Sequence, residues 1–103
     1  MSNEKNNQTI QEIQMLEQNL QNLLYQKQAF QMEISETEAA KKEVESSEEI
    51  FKIVGQLMIK TDKDKIKKEI LDKDKLLKLR VESIEKQESA IAEKIEELKK
   101  LNS

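Results

Sequence analysis

From Ile13 to Val44 the chain keeps an unbroken alternation of three- and four-residue steps: Ile13, Leu16, Leu20, Leu23, Lys27, Phe30, Ile34, Thr37, Lys41 and Val44. Seven of these ten positions are apolar. A mean step of about 3.5 residues holds one stripe of an α-helix against a partner, so this seam predicts a coiled coil. The seam decides between two outcomes that composition leaves open. With 38% charged residues, 3% aromatic residues and a single Gly, the chain has little material for a globular core. Such a composition is disordered without a regular apolar period and helical with one.

A second seam follows. Ile70, Leu77, Ile84, Ile91 and Leu98 recur every seven residues. Taking them as the a row puts Lys73, Arg80, Gln87, Lys94 and Leu101 at d. The two halves mirror each other around residue 57, so each helix is expected to fold back on the other. A provisional antiparallel register pairs Val44 with Ile70, Phe30 with Ile84, Leu23 with Ile91 and Leu16 with Leu98. It leaves mixed layers, Ile34 with Arg80 and Leu20 with Lys94, whose cationic stems can lie along the seam. Lys41 opposite Lys73 is its poorest layer.

The segment between the seams, Ile50-Phe-Lys-Ile-Val-Gly-Gln-Leu-Met-Ile59, is apolar at seven of ten positions. Its β-branched and aromatic residues favour strand. Gly55-Gln56 suits a two-residue hairpin turn with Gly first, the type II′ pattern, setting Val54 opposite Leu57 and Ile53 opposite Met58. Thr9 and Glu12 have the spacing of a capping box. Thr61-Asp-Lys-Asp64 offers an N-cap for the second helix. The expected organisation is one domain over 1–103: a frayed 1–9, helix over 10–48, β-hairpin over 50–61 and helix over 63–101. The fold class is mainly α, an antiparallel two-helix coiled coil with a central β-hairpin.

An isolated hairpin is marginal in water, and its open edges invite pairing with another chain. Hairpins from several subunits can close a barrel, which removes the edges. Ile50, Phe51, Ile53, Val54, Gly55, Leu57, Met58 and Ile59 are therefore expected to mediate oligomerisation through an intersubunit β-barrel. Both chain termini would then lie at the far tip of the coil. Near that tip Ile10 and Ile95 fall at e and Met15 at c, beside or outside the seam and expected to be partly exposed; Leu101 lies there too. Exposed apolar groups at such an end can hold apolar segments of other chains, and Met adapts to many shapes. Scattered apolar surface residues are also normal, and both readings stand.

Catalytic chemistry has few candidates. The chain has no His and no Cys, and no Gly-rich phosphate loop, so no enzyme and no cofactor are expected. Asp62-Lys-Asp64 resembles the start of a calcium loop, which needs Gly at its sixth position and Glu at its twelfth. Those positions hold Lys67 and Lys73, so no metal is expected. Lys60–Lys75 carries seven Lys among five acidic residues with no aromatic platform, which argues against nucleic acid. An acidic partner chain stays open as an occupant of that stretch. No apolar run reaches the roughly 18–20 residues of a membrane span, and the N-terminus lacks an apolar signal core. The simplest expectation is a cytoplasmic protein.

Three stretches resemble the prefoldin β family, most closely its archaeal members: Leu24-Tyr-Gln-Lys-Gln-Ala-Phe-Gln-Met-Glu-Ile34, the hairpin Ile50–Thr61 with its central Gly, and Arg80 through Gln87-Glu88. The resemblance implies a hexamer of two α and four β subunits. Hairpins would form its barrel platform, and its arms would hold non-native proteins at their tips without ATP. It also implies transfer of those clients to a group II chaperonin. In that picture Ile10, Ile13, Leu16, Ile95, Leu98 and Leu101 match the client-facing arm ends, and with Met15, added from its place outside the seam, they are the expected client-binding residues. The alternative is a structural coiled-coil adaptor with the same seams and no client-binding tip.

Overall fold

A computed structural model describes residues 3–101. Its elements are helix α1 (Asn3–Ser46), strands β1 (Ile50–Val54) and β2 (Leu57–Thr61), and helix α2 (Lys63–Leu101). The two helices are antiparallel. The chain packs as two units: residues up to Ala29 with those from Val81 onward, and Phe30–Arg80.

α1 begins earlier than the sequence suggests. The expected capping box at Thr9 does not form; Thr9 Oγ1 instead donates to the Lys5 carbonyl, 3.0 Å away, inside a helix already under way. A Thr hydroxyl satisfied by the carbonyl four residues back leaves the helix free to continue. Residues 3–9, expected to be frayed, are thus helical; residues 1 and 2 lie outside the described region. At its other end α1 has no basic residue in the last turn, yet its carbonyls find donors. Ser46 Oγ and Ser47 Oγ donate to the Glu43 carbonyl at 3.2 and 2.7 Å. Lys63 Nζ reaches from α2 to the carbonyls of Glu45 and Ser47, both at 3.1 Å. One lysine at the start of α2 therefore caps the C-terminus of α1, where orphan carbonyls favour a cation.

α2 starts at a conventional cap. Asp62 Oδ1 accepts from the Asp64 amide at 3.2 Å, and the Asp62 carbonyl accepts from the Ile66 amide at 3.1 Å. This satisfies donors that an uncapped first turn would leave unpaired.

The seam of α1 lies where its spacing puts it. Every one of its ten positions is at least half-buried except Lys41. Thr37, buried on the seam, donates to the Glu33 carbonyl at 2.7 Å and carries no unsatisfied hydroxyl.

The seam of α2 corrects the expected register. Ile70, Leu77, Ile84, Ile91 and Leu98 do face inward, but their companions are Asp74, Val81, Glu88 and Ile95. The row assigned to d, Lys73, Arg80, Gln87, Lys94 and Leu101, is exposed. A row that repeats every seven residues can be read as a or as d, and the second reading places the companion four residues on. It puts Val81 and Ile95 inside in place of Arg80 and Lys94, which the hydrophobic effect favours. Lys41 no longer faces Lys73, because Asp74 is the inward residue there. Arg80 is not inserted in a layer; its guanidinium lies 5.6 Å from the centroid of the Phe30 ring, a cation–π contact on the flank of the coil.

The hairpin register is Ile50↔Thr61, Phe51↔Lys60, Lys52↔Ile59, Ile53↔Met58 and Val54↔Leu57. Gly55 has φ +63° and no non-Gly residue has positive φ among the described residues. Positive φ at the first turn position alone is the type II′ turn, whose twist matches that of the strands.

Candidate assembly and client-binding surfaces

Every residue from Phe51 to Lys60 is exposed. One face of the two-stranded sheet carries Ile50, Lys52, Val54, Leu57 and Ile59, and the other Phe51, Ile53, Met58 and Lys60. Phe51 is 50% exposed and Ile53 71%. Neither face has a layer packed over it within this chain, although sheets are stable when at least one face is covered. Two exposed ion pairs, Lys52–Glu69 at 3.6 Å and Lys60–Glu49 at 3.8 Å, link the strands to the flanking segments. Solvent-exposed pairs of this kind contribute little, so they do not replace the missing cover.

The whole chain leaves 8158 Å² of surface accessible, against about 6,000 Å² for a compact monomer of its mass. The sequence-predicted oligomerisation residues from Phe51 to Ile59 account for a continuous part of it, with Ile50 half-buried at the strand start.

The seven residues assigned to client binding divide into three kinds. Ile10, Met15 and Leu101 are exposed. Ile13 and Leu16 are half-buried on the α1 seam. Ile95 and Leu98 are each only 6% exposed, packed into the coil. The expectation that Ile95 sits beside the seam and partly in solvent is therefore corrected, and the cause is the register shift on α2. All seven belong to the same packing unit.

Spacing had not singled out the remaining exposed apolar residues, Tyr25, Met32, Leu71, Leu76 and Leu79. Their signal in the sequence is negative: each is a large apolar residue that fits neither seam row. The sequence reading also missed the pair Lys27–Glu88, whose Nζ–Oε1 distance is 2.8 Å. Its side chains are about one-fifth exposed, at 19% and 20%. The hydrogen bond from Lys27 to Glu88 raises the lysine pKa above its ordinary 10.5, against the opposing pull of burial. Likewise the Asp74 carboxylate, 2.8 Å from Lys78, raises the Lys78 pKa.

Among the described residues no group of three or more metal-ligating side chains comes together, and no helix is long and apolar enough to cross a membrane. The clefts are shallow grooves along the helices, such as the one lined by Thr37, Lys41, Ile70, Asp74 and Lys78. What the chain offers is apolar surface on a strand hairpin and at the ends of two paired helices.

These features define a class of helical-hairpin subunit that works through its surfaces. Residues 7–102 match the family described as "Prefoldin subunit". The chain is 41% identical over 85 residues to the prefoldin subunit beta of Thermococcus onnurineus, covering 80% of this chain and 73% of that one. It is 37% identical over 90 residues to that of Thermococcus kodakarensis, covering 84% and 77%. The crystal structure of the prefoldin beta subunit from Thermococcus strain KS-1 superposes with a TM-score of 0.89 at 33% identity, covering 95% of this chain and 89% of that one. The beta2 subunit from the same strain shares the fold, with a TM-score of 0.71 at 21% identity. The chain belongs to the prefoldin subunit family, a family of non-enzymatic chaperone subunits, and its likeness is to the beta subunits of archaea.

Proposed function

We propose that the chain is an ATP-independent holdase subunit that assembles through its hairpin and grips non-native proteins with the ends of its helices. The observation that carries this reading is the hairpin, apolar and exposed on both faces from Phe51 to Ile59. A coiled-coil adaptor needs only its seams and has no use for such a segment between them. Residues 50–61 build an intersubunit β-barrel in this reading, closing the open edges of the two-stranded sheet. The partners are an α-class prefoldin subunit in a hexamer of two α and four β chains, non-native clients, and a group II chaperonin that receives them. The assembly works in the cytoplasm.

Client contact falls to Ile10, Met15 and Leu101 first, because they are already exposed. Ile13 and Leu16 border them on the α1 seam. Ile95 and Leu98 support the arm end from inside the coil and reach a client only if the end opens. Holding an unfolded chain needs adaptable apolar surface and no nucleotide, which suits flexible Met and Leu at a helix end. The test is replacement of Ile10, Met15 and Leu101 by Ser, followed by light-scattering assays of client aggregation. The expected result is weaker suppression with an unchanged thermal midpoint and intact assembly. Undiminished suppression by that variant rules out this arm-end assignment.

A further inference from the structure

Two inward rows, apolar but for Thr37, repeat every seven residues: Leu16, Leu23, Phe30, Thr37 and Val44 on α1, and Ile70, Leu77, Ile84, Ile91 and Leu98 on α2. Sliding one helix by a heptad would again set these rows against each other and lose only end layers. Apolar contacts therefore discriminate poorly between registers, and something else must choose one.

Two charged layers have the required property. Lys27 and Glu88 form a half-buried pair at 2.8 Å. Lys41 and Lys27 are 14 residues apart on α1, and so are Glu88 and Asp74 on α2. A register that seats Lys27 on Glu88 therefore brings Lys41 to Asp74. Both line one cleft of about 310 Å³. Asp74 is an inward residue with its side chain 20% exposed; Oδ2 is held by Lys78, while the buried Oδ1 has no hydrogen-bond partner. Lys41 forms no ion pair within 4.0 Å among the described residues. A buried carboxylate oxygen without a donor is costly; of the two unpaired lysines that line its cleft, Lys41 and Lys42, Lys41 is the one at a seam position.

We propose that Lys41 pairs with Asp74 Oδ1 in solution, and that this pair and Lys27–Glu88 together lock the register of the two helices. In a register one heptad away Lys27 meets Val81 or Ile95, and Glu88 meets Leu20 or Ile34. Both charges are then inside without a partner, which is strongly destabilising. The lock also selects the partner helix. Both seam lysines are on α1 and both seam acids on α2, so pairing α1 with a second α1 sets lysine against lysine. Polar residues at seam positions are known to trade stability for such specificity.

Two measurements decide it. The chain has no Cys, so engineered pairs report register cleanly under oxidation: Thr37→Cys with Leu77→Cys for the native register, and Thr37→Cys with Ile70→Cys or Ile84→Cys for registers slipped by one heptad. Each is placed in the parent chain and in a variant carrying Lys27→Leu, Lys41→Leu, Asp74→Leu and Glu88→Leu. The parent should form only the 37–77 bond, and the four-Leu variant should form a slipped bond in comparable yield. If the variant keeps the 37–77 bond alone, the hairpin tether sets the register and the lock is refuted. The second measurement is a thermal double-mutant cycle of Lys41→Met and Asp74→Asn. The two losses should be non-additive by roughly 3 °C, while Lys42→Met with Asp74→Asn should be additive. Additivity in the first cycle overturns the Lys41–Asp74 pair.

Discussion

Lys27 of α1 and Glu88 of α2 lie on facing seams with Nζ and Oε1 2.8 Å apart. The hydrogen bond that Lys27 donates to Glu88 holds the lysine pKa above 10.5. A cation whose folded pKa is raised contributes stability that is complete below its unfolded pKa and is lost as pH rises through the folded one. Urea midpoints should therefore hold steady up to about pH 10 and then fall. Lys27→Met should flatten part of that fall. Lys78, raised in the same direction by Asp74, acts in the same sense. An equal slope in the variant and the parent above pH 10 would show that Lys27 is not a source of it.

Leu77 and Leu79 are two residues apart on α2, yet one is 3% exposed and the other 62%. Leu77→Ala should cost about 2–5 kcal/mol, the range for truncating a buried leucine. Leu79→Ala should stay within about 0.5 kcal/mol of the parent, as exposed substitutions do. Chemical denaturation of the two variants measures both. Similar losses would contradict the α2 register.

How much of this was legible in the sequence depends on which side of each helix a residue marks. The α1 seam was readable because its apolar residues sit in both rows, Ile13, Leu20 and Ile34 in one and Leu16, Leu23 and Phe30 in the other. On α2 one row is wholly apolar while the other mixes Val81 and Ile95 with Asp74 and Glu88. Two charged residues in the second row, Asp74 and Glu88, hide it, and the row on the other side competes with it in the sequence. Val81 and Ile95 were the available clue. The hairpin was readable from chemistry: Gly55 occupies φ +63°, a conformation in which other residues are strained. Thr9 misled because a Ser/Thr-x-x-Glu spacing also occurs inside helices, and a long apolar-periodic helix has no need to begin there.

Gly55→Ala is a clean test of the turn. A Cβ at this position meets nothing within 4 Å, so the penalty comes from backbone conformation alone, about 1–2 kcal/mol. The hairpin should lose order while both helices keep their circular dichroism. An unchanged hairpin by hydrogen exchange would mean that the turn tolerates Ala in another conformation.

Phe51→Asp separates folding from assembly. Phe51 is half exposed within the chain, so the isolated subunit should lose little stability. In a barrel the carboxylate would be buried, at a cost that blocks association. Sedimentation should show a folded chain that no longer enters the oligomer. An oligomer that survives this change is incompatible with a barrel built by the hairpins.

The most direct test of the proposed assembly is to mix this chain with an α-class prefoldin subunit and determine the mass by light scattering. A complex of two α and four β chains, absent with Phe51→Asp, is the expected result. A monomer or dimer that ignores the α subunit would contradict it and leave a structural coiled-coil adaptor as the better description.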